Sequence, residues 1–345
     1  MAGSVDVTAM AKPETAAMVE KLLPHLRCPL TLIRQGREVA LIRQGDALVS
    51  PDGLRYPIVA NVPDLRPRAG EAVDHYAQIH AVQARSEPAP DADVLARLAD
   101  AYGLKDGELT GRSVLVAGAA LGTEVAMMLA LGADEVFALD YAGHIRTLPA
   151  RLNAPKGRVH YVQGDVCALP FAARYFDLTF SSGVLQHTPS PELGFREIHR
   201  VTKDGGHINL AIPYPDSPHH RNITRARLKH RFHAMPPAEA EKRLARRLRR
   251  RVAMERIGLA RLDYRLTSGM AFPAQGAGFA IRLGAALDTY YPAYRHTLDP
   301  NEVRRWFLDL GMTPKLPRNI APHFGDVPES ALGATKSYTA VRPAR

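Results

Sequence analysis

The stretch Ser113-Val-Leu-Val-Ala-Gly-Ala-Ala-Leu-Gly-Thr-Glu124 constrains the fold more than any other part of the chain. Val114 to Ala117 read as a buried strand. Gly118 and Gly122 bracket a tight turn, helix formers follow from Glu124 to Leu131, and Gly132 stands where a helix ends in left-handed backbone. A strand, a glycine turn and a helix N-terminus bring backbone N–H groups and a positive dipole end to one place. That is a platform for a nucleotide-like ligand. The run from Val114 to Ala133 is apolar enough to mimic a membrane span, but Glu124 and the glycines in mid-run argue against one.

Strand and helix signals then alternate. Glu135 to Leu139, Arg158 to Val162, Phe176 to Phe180 and Gly206 to Ile212 read as strands. They end at Asp140, at Gly164-Asp165, at Ser181-Ser182-Gly183 and at Pro213. Glu192 to Val201 reads as a helix, Asn301 to Leu310 as another capped by Asp299-Pro300, and Lys315-Leu316 and Ser337 to Val341 as last strands. Such alternation predicts an α/β fold: a doubly wound, mostly parallel seven-stranded sheet whose ligands sit beyond the C-terminal strand ends. The expected division is a loose tail (1–18), a small β-rich domain (19–70), a main domain (71–212 and 297–345) and an inserted helical lid (213–296). Residues 71–104 read as helical, broken near Pro88-Ala-Pro90, and could cover the ligand site.

Charge is uneven. The whole chain carries +10, while residues 221–265 hold fifteen Lys and Arg against four Asp and Glu, a local +11. Any argument about acidic partners therefore concerns the insertion. There, Leu244, Leu248, Val252, Leu259 and Leu262 fall on one face at helical spacing, with Arg246, Arg247, Arg249 and Arg250 elsewhere around it. The plain reading is a lid helix with a solvated charged face. The sharper readings are an acidic carrier protein, an anionic substrate or membrane surface, or RNA. Phe232 is the one aromatic residue between Arg221 and Arg261, which provides poorly for base stacking.

Two cysteines, Cys28 and Cys167, give neither a disulfide framework nor a four-thiolate metal site. His219, His220, His230 and His233 have no supporting cysteine or carboxylate spacing and read as surface histidines. With no apolar leader among the first residues, a cytoplasmic location is the expectation.

Two cofactor classes compete for the glycine turn. A nicotinamide dinucleotide site wants Gly-x-Gly-x-x-Gly with an acidic residue about twenty positions on. Asp140 meets the second condition, but the turn reads Gly118-x-Ala120-x-Gly122, with Thr at 123.

The later strand ends decide. Gly164-Asp-Val-Cys-Ala-Leu-Pro-Phe171, Tyr175-Phe-Asp-Leu-Thr-Phe-Ser-Ser-Gly-Val-Leu-Gln-His-Thr188 and Arg196-Glu-Ile-His-Arg-Val-Thr-Lys-Asp-Gly-Gly206 resemble the class I S-adenosylmethionine-dependent methyltransferases, most closely the ubiquinone and menaquinone biosynthesis branch. The resemblance runs from about Ser113 to Ile212. It implies that Gly118, Ala120 and Gly122 approach the methionine part of S-adenosylmethionine and that Asp140 accepts from the ribose hydroxyls. It further implies that Asp165 and the N–H of Val166 meet the adenine, with Ser182 also at the cofactor. His187 is the best-placed candidate base, against a structural role for it. Tyr290, Tyr291, Tyr294 and Arg295 could serve the acceptor, against ordinary packing at a lid hinge. No metal is expected.

Cys28-Pro29 and Tyr56-Pro57-Ile58 with Val62-Pro63 resemble the zinc-ribbon-like methyltransferase-activator domain, with Thr31 where a second thiolate would stand. One thiolate cannot build a structural zinc site, so a metal-free remnant is expected. Two departures weaken the cofactor case: Val116 replaces an acidic residue that helps hold the cofactor's ammonium, and Ala120 replaces a middle glycine. The implied activity is methyl transfer to a small or carrier-bound acceptor. An RNA methyltransferase and a degenerate, non-catalytic partner subunit stay open beside it, and the oligomeric state is unassigned.

Overall fold

The computed structural model describes residues 19–67, 75–85, 89–213, 230–259, 262, 278–315, 318–320 and 335–344. The expected tail, His219 and His220, and the insertion residues 214–229 and 263–277 lie outside them.

The main sheet is built on β5 (Ser113–Ala117), β6 (Glu135–Asp140), β7 (Val159–Gln163), β8 (Phe176–Ser182), β9 (Thr202–Pro213) and the antiparallel β11 (Thr335–Val341). The short β10 (Arg318–Ile320) pairs on the outer edge of β11. The strand order is β10-β11-β9-β8-β5-β6-β7, with β5 to β9 parallel. Alternate residues of β5 and β6 enter opposite cores. Leu115, Ala117, Phe137 and Leu139 pack on one face and Val114, Val116, Val136 and Ala138 on the other. Burial on both faces is why these strands read as unbroken apolar runs. The chain winds from β5 out to β7, then returns to β8 on the other side of β5. A crevice opens where that direction reverses, at the C-terminal ends of β5 and β8.

The first strands, β1 (Ile42–Gln44), β2 (Ala47–Val49), β3 (Arg55–Val59) and β4 (Val62–Pro63), form a separate antiparallel sheet in chain order. The short helix α1 (Pro29–Gln35) precedes them. Cys28 is fully buried, and its Sγ accepts the Thr31 hydroxyl at 3.1 Å and lies 3.3 Å from the Tyr56 hydroxyl. Thr31 also reaches Asp52 at 3.2 Å. Hydrogen bonds thus tie together the positions that the resemblance assigns to a metal. This unit covers the free edge of β7: Leu65 N–H donates to the Gln163 carbonyl at 2.7 Å and Arg27 N–H to that of Pro170 at 2.9 Å. An open edge strand is thereby blunted. Leu26, Leu48, Tyr56 and Leu65 join the same apolar core as Phe137 and Val162, so the packing runs continuously from this unit into the sheet.

Three further helices make a third layer. They are α2 (His75–Ala84), α7 (Pro237–Arg256) and α8 (Phe279–Tyr290). Ile79, Val82, Phe232, Leu244, Leu248, Leu287, Tyr290 and Tyr291 form its core. The helix ahead of the sheet therefore packs with helices of the insertion. Arg282 pairs with Glu255 at 2.7 Å, and Arg251 with the same carboxylate at 2.9 Å, clamping α8 to α7. The expected leucine stripe holds only as far as Leu248 and the half-buried Val252. The helix stops at Arg256, Gly258 turns the chain with φ +73°, and Leu259 and Leu262 are 44% and 45% exposed.

Four helices flank the main sheet: α3 (Ala92–Tyr102), capped by Asp91, α4 (Thr123–Ala130) and α5 (Leu148–Leu152) pack in the core on one face, and α6 (Pro191–Val201), capped by Ser190, in the core on the other. Helix α9 (Pro300–Asp309) is capped by Asp299 with Pro300 in its first turn, as expected.

Candidate functional site

The turn after β5 has left-handed backbone at Gly118 (φ +96°), Ala120 (φ +41°) and Gly122 (φ +87°). Glycine adopts this region freely and alanine only under strain. Space is also short. A Cβ on Gly118 would lie 2.1 Å from Val184 Cγ2, and one on Gly122 would lie 2.9 Å from the Leu152 methyls. The glycines thus admit close packing by the loop after β8 and by α5.

Asp140, at the end of β6 and 7% exposed, closes this turn. Its Oδ2 accepts the Ala120 N–H and its Oδ1 the Ala142 N–H, each at 2.9 Å. His144, four residues on, hydrogen-bonds the Ala120 carbonyl through Nε2. A carbonyl only accepts, so Nε2 carries a proton, which in the neutral tautomer makes Nδ1 the acceptor. That Nδ1 is buried and has no hydrogen-bond partner within the protein. His80 of α2 packs its ring on His144 with centroids 4.0 Å apart, and its Nδ1 lies 2.9 Å from Gln83 Oε1. Burial, and then the neighbouring His144, push the His80 imidazole well below its ordinary value, so it stays neutral.

Two more orphaned polar atoms belong to this rim. The Tyr76 hydroxyl and Gln186 Oε1 are buried without a partner within the protein. Tyr76 stands edge-on to the His187 ring with centroids 5.5 Å apart. Burial, and then Asp288, raise the Tyr76 hydroxyl well above its ordinary value, so it is a neutral donor. Buried polar groups are rarely left unpaired, and several along one rim mark where a polar ligand fits.

The other expected residues are placed as follows. Ser182 ends β8, and its hydroxyl bonds the Tyr102 hydroxyl of α3 at 2.8 Å. Asp165 caps a short turn by accepting the Cys167 N–H at 2.8 Å, and burial raises its carboxyl above the usual range. Val166 follows it, 5% exposed. The Asp140 carbonyl accepts the Gly164 N–H at 2.9 Å, which joins the two strand ends. Val116 lies in the core, 1% exposed. His187 is held by the insertion: Nδ1 lies 3.2 Å from the Tyr294 carbonyl and Nε2 3.5 Å from Asp288. Tyr290 and Tyr291 are interior residues of the third layer, 1% and 0% exposed. Tyr294 is 46% exposed, and Arg295 pairs with Asp288 at 3.2 Å. The structure therefore gathers the glycine turn, Asp140 and Ser182 at one crevice, and buries Tyr290 and Tyr291 in the core of the third layer, against which Tyr76 of the rim packs.

Sequence reasoning missed His80, His144, Tyr76 and Tyr102. His144 carried a usable signal, since it follows a strand-end aspartate by four residues. His80 lies sixty residues before Asp140, and no local pattern announces it. His80, Asp140 and His144 bring ligand atoms within 4.8 Å of one another, so among the described residues this cluster also has the spacing of a cation site.

Residues 115–210 match the methyltransferase domain family. That segment covers β5 to β9, with the glycine turn, Asp140, Asp165, Ser182 and His187 all inside it. A chloroplastic 2-methyl-6-phytyl-1,4-hydroquinone methyltransferase of Arabidopsis thaliana is 34% identical over 105 residues, 30% of this chain and 31% of that protein. An uncharacterized methyltransferase of Mycolicibacterium paratuberculosis is 29% identical over 65% of this chain and 86% of its own length. The chain spans about a third of the length of the first curated relatives it matches. Among solved structures, the 1,6-didemethyltoxoflavin-N1-methyltransferase of Burkholderia thailandensis is 16% identical, with a TM-score of 0.41 over 88% of this chain and 98% of that one. No helix among the described residues is long and apolar enough to cross a membrane.

Proposed function

We propose that this chain is an S-adenosylmethionine-dependent methyltransferase acting on a small or carrier-bound acceptor. The carrying observation is the pair formed by Asp140 and the orphaned His144 Nδ1 beside a left-handed turn at the sheet's reversal point. A carboxylate and a neutral ring nitrogen are both acceptors, and adjacent hydroxyls such as those of a ribose need acceptors. When bound, the cofactor supplies an already activated sulfonium methyl for in-line displacement.

The chain's own residues then have modest tasks. Asp140 and His144 orient the ligand's hydroxyls, and Asp165 with the Val166 N–H faces its base. Ser182 and Tyr102 close the strand end beside the glycine turn. In place of the missing acidic residue at 116, Glu124 in the first turn of α4 is the nearest carboxylate in sequence to the turn and takes the ammonium. Helices α2 and α8 form a lid that excludes water, and alignment supplies most of the rate. His187 faces acceptor oxygens with both nitrogens. We read it as a residue that fixes the lid to the loop after β8, with proton loss left to the acceptor's own acidity. The N-terminal sheet is a metal-free remnant that seals the edge of β7.

Calorimetric titration with S-adenosylmethionine tests the reading. Binding by the wild type, lost in Asp140→Ala and weakened in His144→Ala, is expected. Absence of binding by the wild type would return the degenerate, non-catalytic reading.

A further inference from the structure

We propose that the outer face of α7, together with the turn behind it, docks this protein on an anionic lipid bilayer. The inward side of α7 is fixed, since Ala240, Leu244 and Leu248 are fully buried and Glu255 is clamped by Arg251 and Arg282. The outward side carries Lys242, Arg246, Arg249, Arg250 and Arg256, all exposed, at offsets of 4, 7, 8 and 14 residues from Lys242. Such spacing puts them along one face. The acidic residues of the helix are engaged elsewhere: Glu239 with Arg243, Glu241 with Arg85, and Glu255 with the clamp. No acid interrupts the row from Lys242 to Arg256 on that face.

The second observation is apolar. Immediately behind Arg256 the chain turns through Gly258, and Ile257, Leu259 and Leu262 are 66%, 44% and 45% exposed. Isolated exposed aliphatics are ordinary, whereas three within six residues form a patch. Phe279, 37% exposed, lies beside the same helix, with Arg249 over its ring at 5.6 Å. A row of cations beside an aliphatic turn matches a headgroup layer: phosphates meet the arginines, and the turn enters the acyl boundary. Single-stranded nucleic acid is served less well. Stacking needs open aromatic faces, and the ring beside this helix, Phe279, is partly covered by Arg249.

Helix α7 packs on α2 and α8, which carry His80 and the residues around His187. Docking therefore brings the lid layer up to the bilayer surface. If the transfer reading holds, an acceptor held in the membrane reaches the site without crossing water. That last step rests on the proposed function, and the docking itself does not.

The test is co-sedimentation of the full chain with vesicles of phosphatidylcholine alone and of phosphatidylcholine mixed with phosphatidylglycerol. Binding to the mixed vesicles, weakening as salt rises, is expected. The triple change Arg246→Gln, Arg249→Gln, Arg256→Gln should lower partitioning about 100-fold, at about 5-fold per arginine. Ile257→Ser with Leu259→Ser should also lower it and leave the remainder more salt-sensitive. Circular dichroism and the S-adenosylmethionine titration should be unchanged in both variants, which separates a failure of docking from a failure of the cofactor reading. Equal binding to both vesicle types, or wild-type partitioning by the triple variant, would overturn the proposal. So would displacement from vesicles by a single-stranded RNA or an acidic protein that binds more tightly through the same arginines.

Discussion

Ala120 donates its backbone N–H to Asp140 Oδ2 at 2.9 Å, so the turn after β5 is held by the carboxylate that ends β6. One side chain thus shapes the loop and faces the crevice. Asp140→Asn keeps the volume but turns one acceptor into a donor, which meets the N–H of Ala120 or of Ala142. Hydrogen bonds to a charged group contribute about 1.5–3 kcal/mol each. The variant should lose about that much stability in denaturant titrations and bind S-adenosylmethionine about 10- to 100-fold more weakly.

Ala120 sits at φ +41° although it is not glycine. Ala120→Gly relieves that strain and gives back part of it as unfolded-state entropy, for a net gain of about 0.5–1 kcal/mol. Gly118→Ala does the opposite, because the new methyl meets Val184 at 2.1 Å in a left-handed backbone. A loss of about 3 kcal/mol is expected. Val184→Ala in the same background should recover part of it. Urea midpoints of the wild type, Ala120→Gly, Gly118→Ala, Val184→Ala and the double variant check both statements, and additivity in the double variant would show that Val184 is not the obstacle.

The buried Cys28 thiol is the shared partner of the Thr31 and Tyr56 hydroxyls. Burial, followed by the bond to Cys28, holds the Tyr56 hydroxyl well above its usual range. Cys28→Ala should cost about 1–3 kcal/mol by stranding those hydroxyls. A chelator should leave the wild-type melting temperature unchanged. Elemental analysis finding stoichiometric zinc that survives dialysis would refute the metal-free reading of this unit.

His80, His25 and His160 are all depressed below the ordinary imidazole value, in each case chiefly by burial. Asp140 and Asp288 pull His80 back towards protonation, while His144 opposes it. Above about pH 6.5 the imidazoles are neutral in the folded and unfolded chain alike, and their burial costs nothing further. Below it the unfolded chain binds protons that the folded one refuses, so stability falls as pH drops from the unfolded value towards the folded one. For His80, pushed down to about 4, the loss should be on the order of 1–2 kcal/mol by about pH 5, and His25 and His160 add to it in the same direction. His80→Gln should flatten that part of a stability-against-pH curve, and an unchanged slope would place the acid sensitivity elsewhere.

Periodicity and turn chemistry carried much of this protein in its sequence. Apolar runs two faces deep marked β5 to β8, Asp299-Pro300 marked the start of α9, and two glycines with Asp140 marked the crevice, because these signals are set within a few residues of backbone. The tertiary structure alone decided which side chains meet there. His80 reaches Asp140 from a helix sixty residues earlier, and the N-terminal sheet closes the edge of β7 through Leu65 and Arg27. Tyr290 and Tyr291 read equally well as pocket or packing residues, and the third layer buries them because α8 faces α2 as well as α7. The leucine stripe ran past the helix that should have carried it, since Gly258 turns the chain and exposes Leu259 and Leu262. Local sequence fixes how a segment prefers to bend, while burial and pairing depend on which distant segment arrives against it.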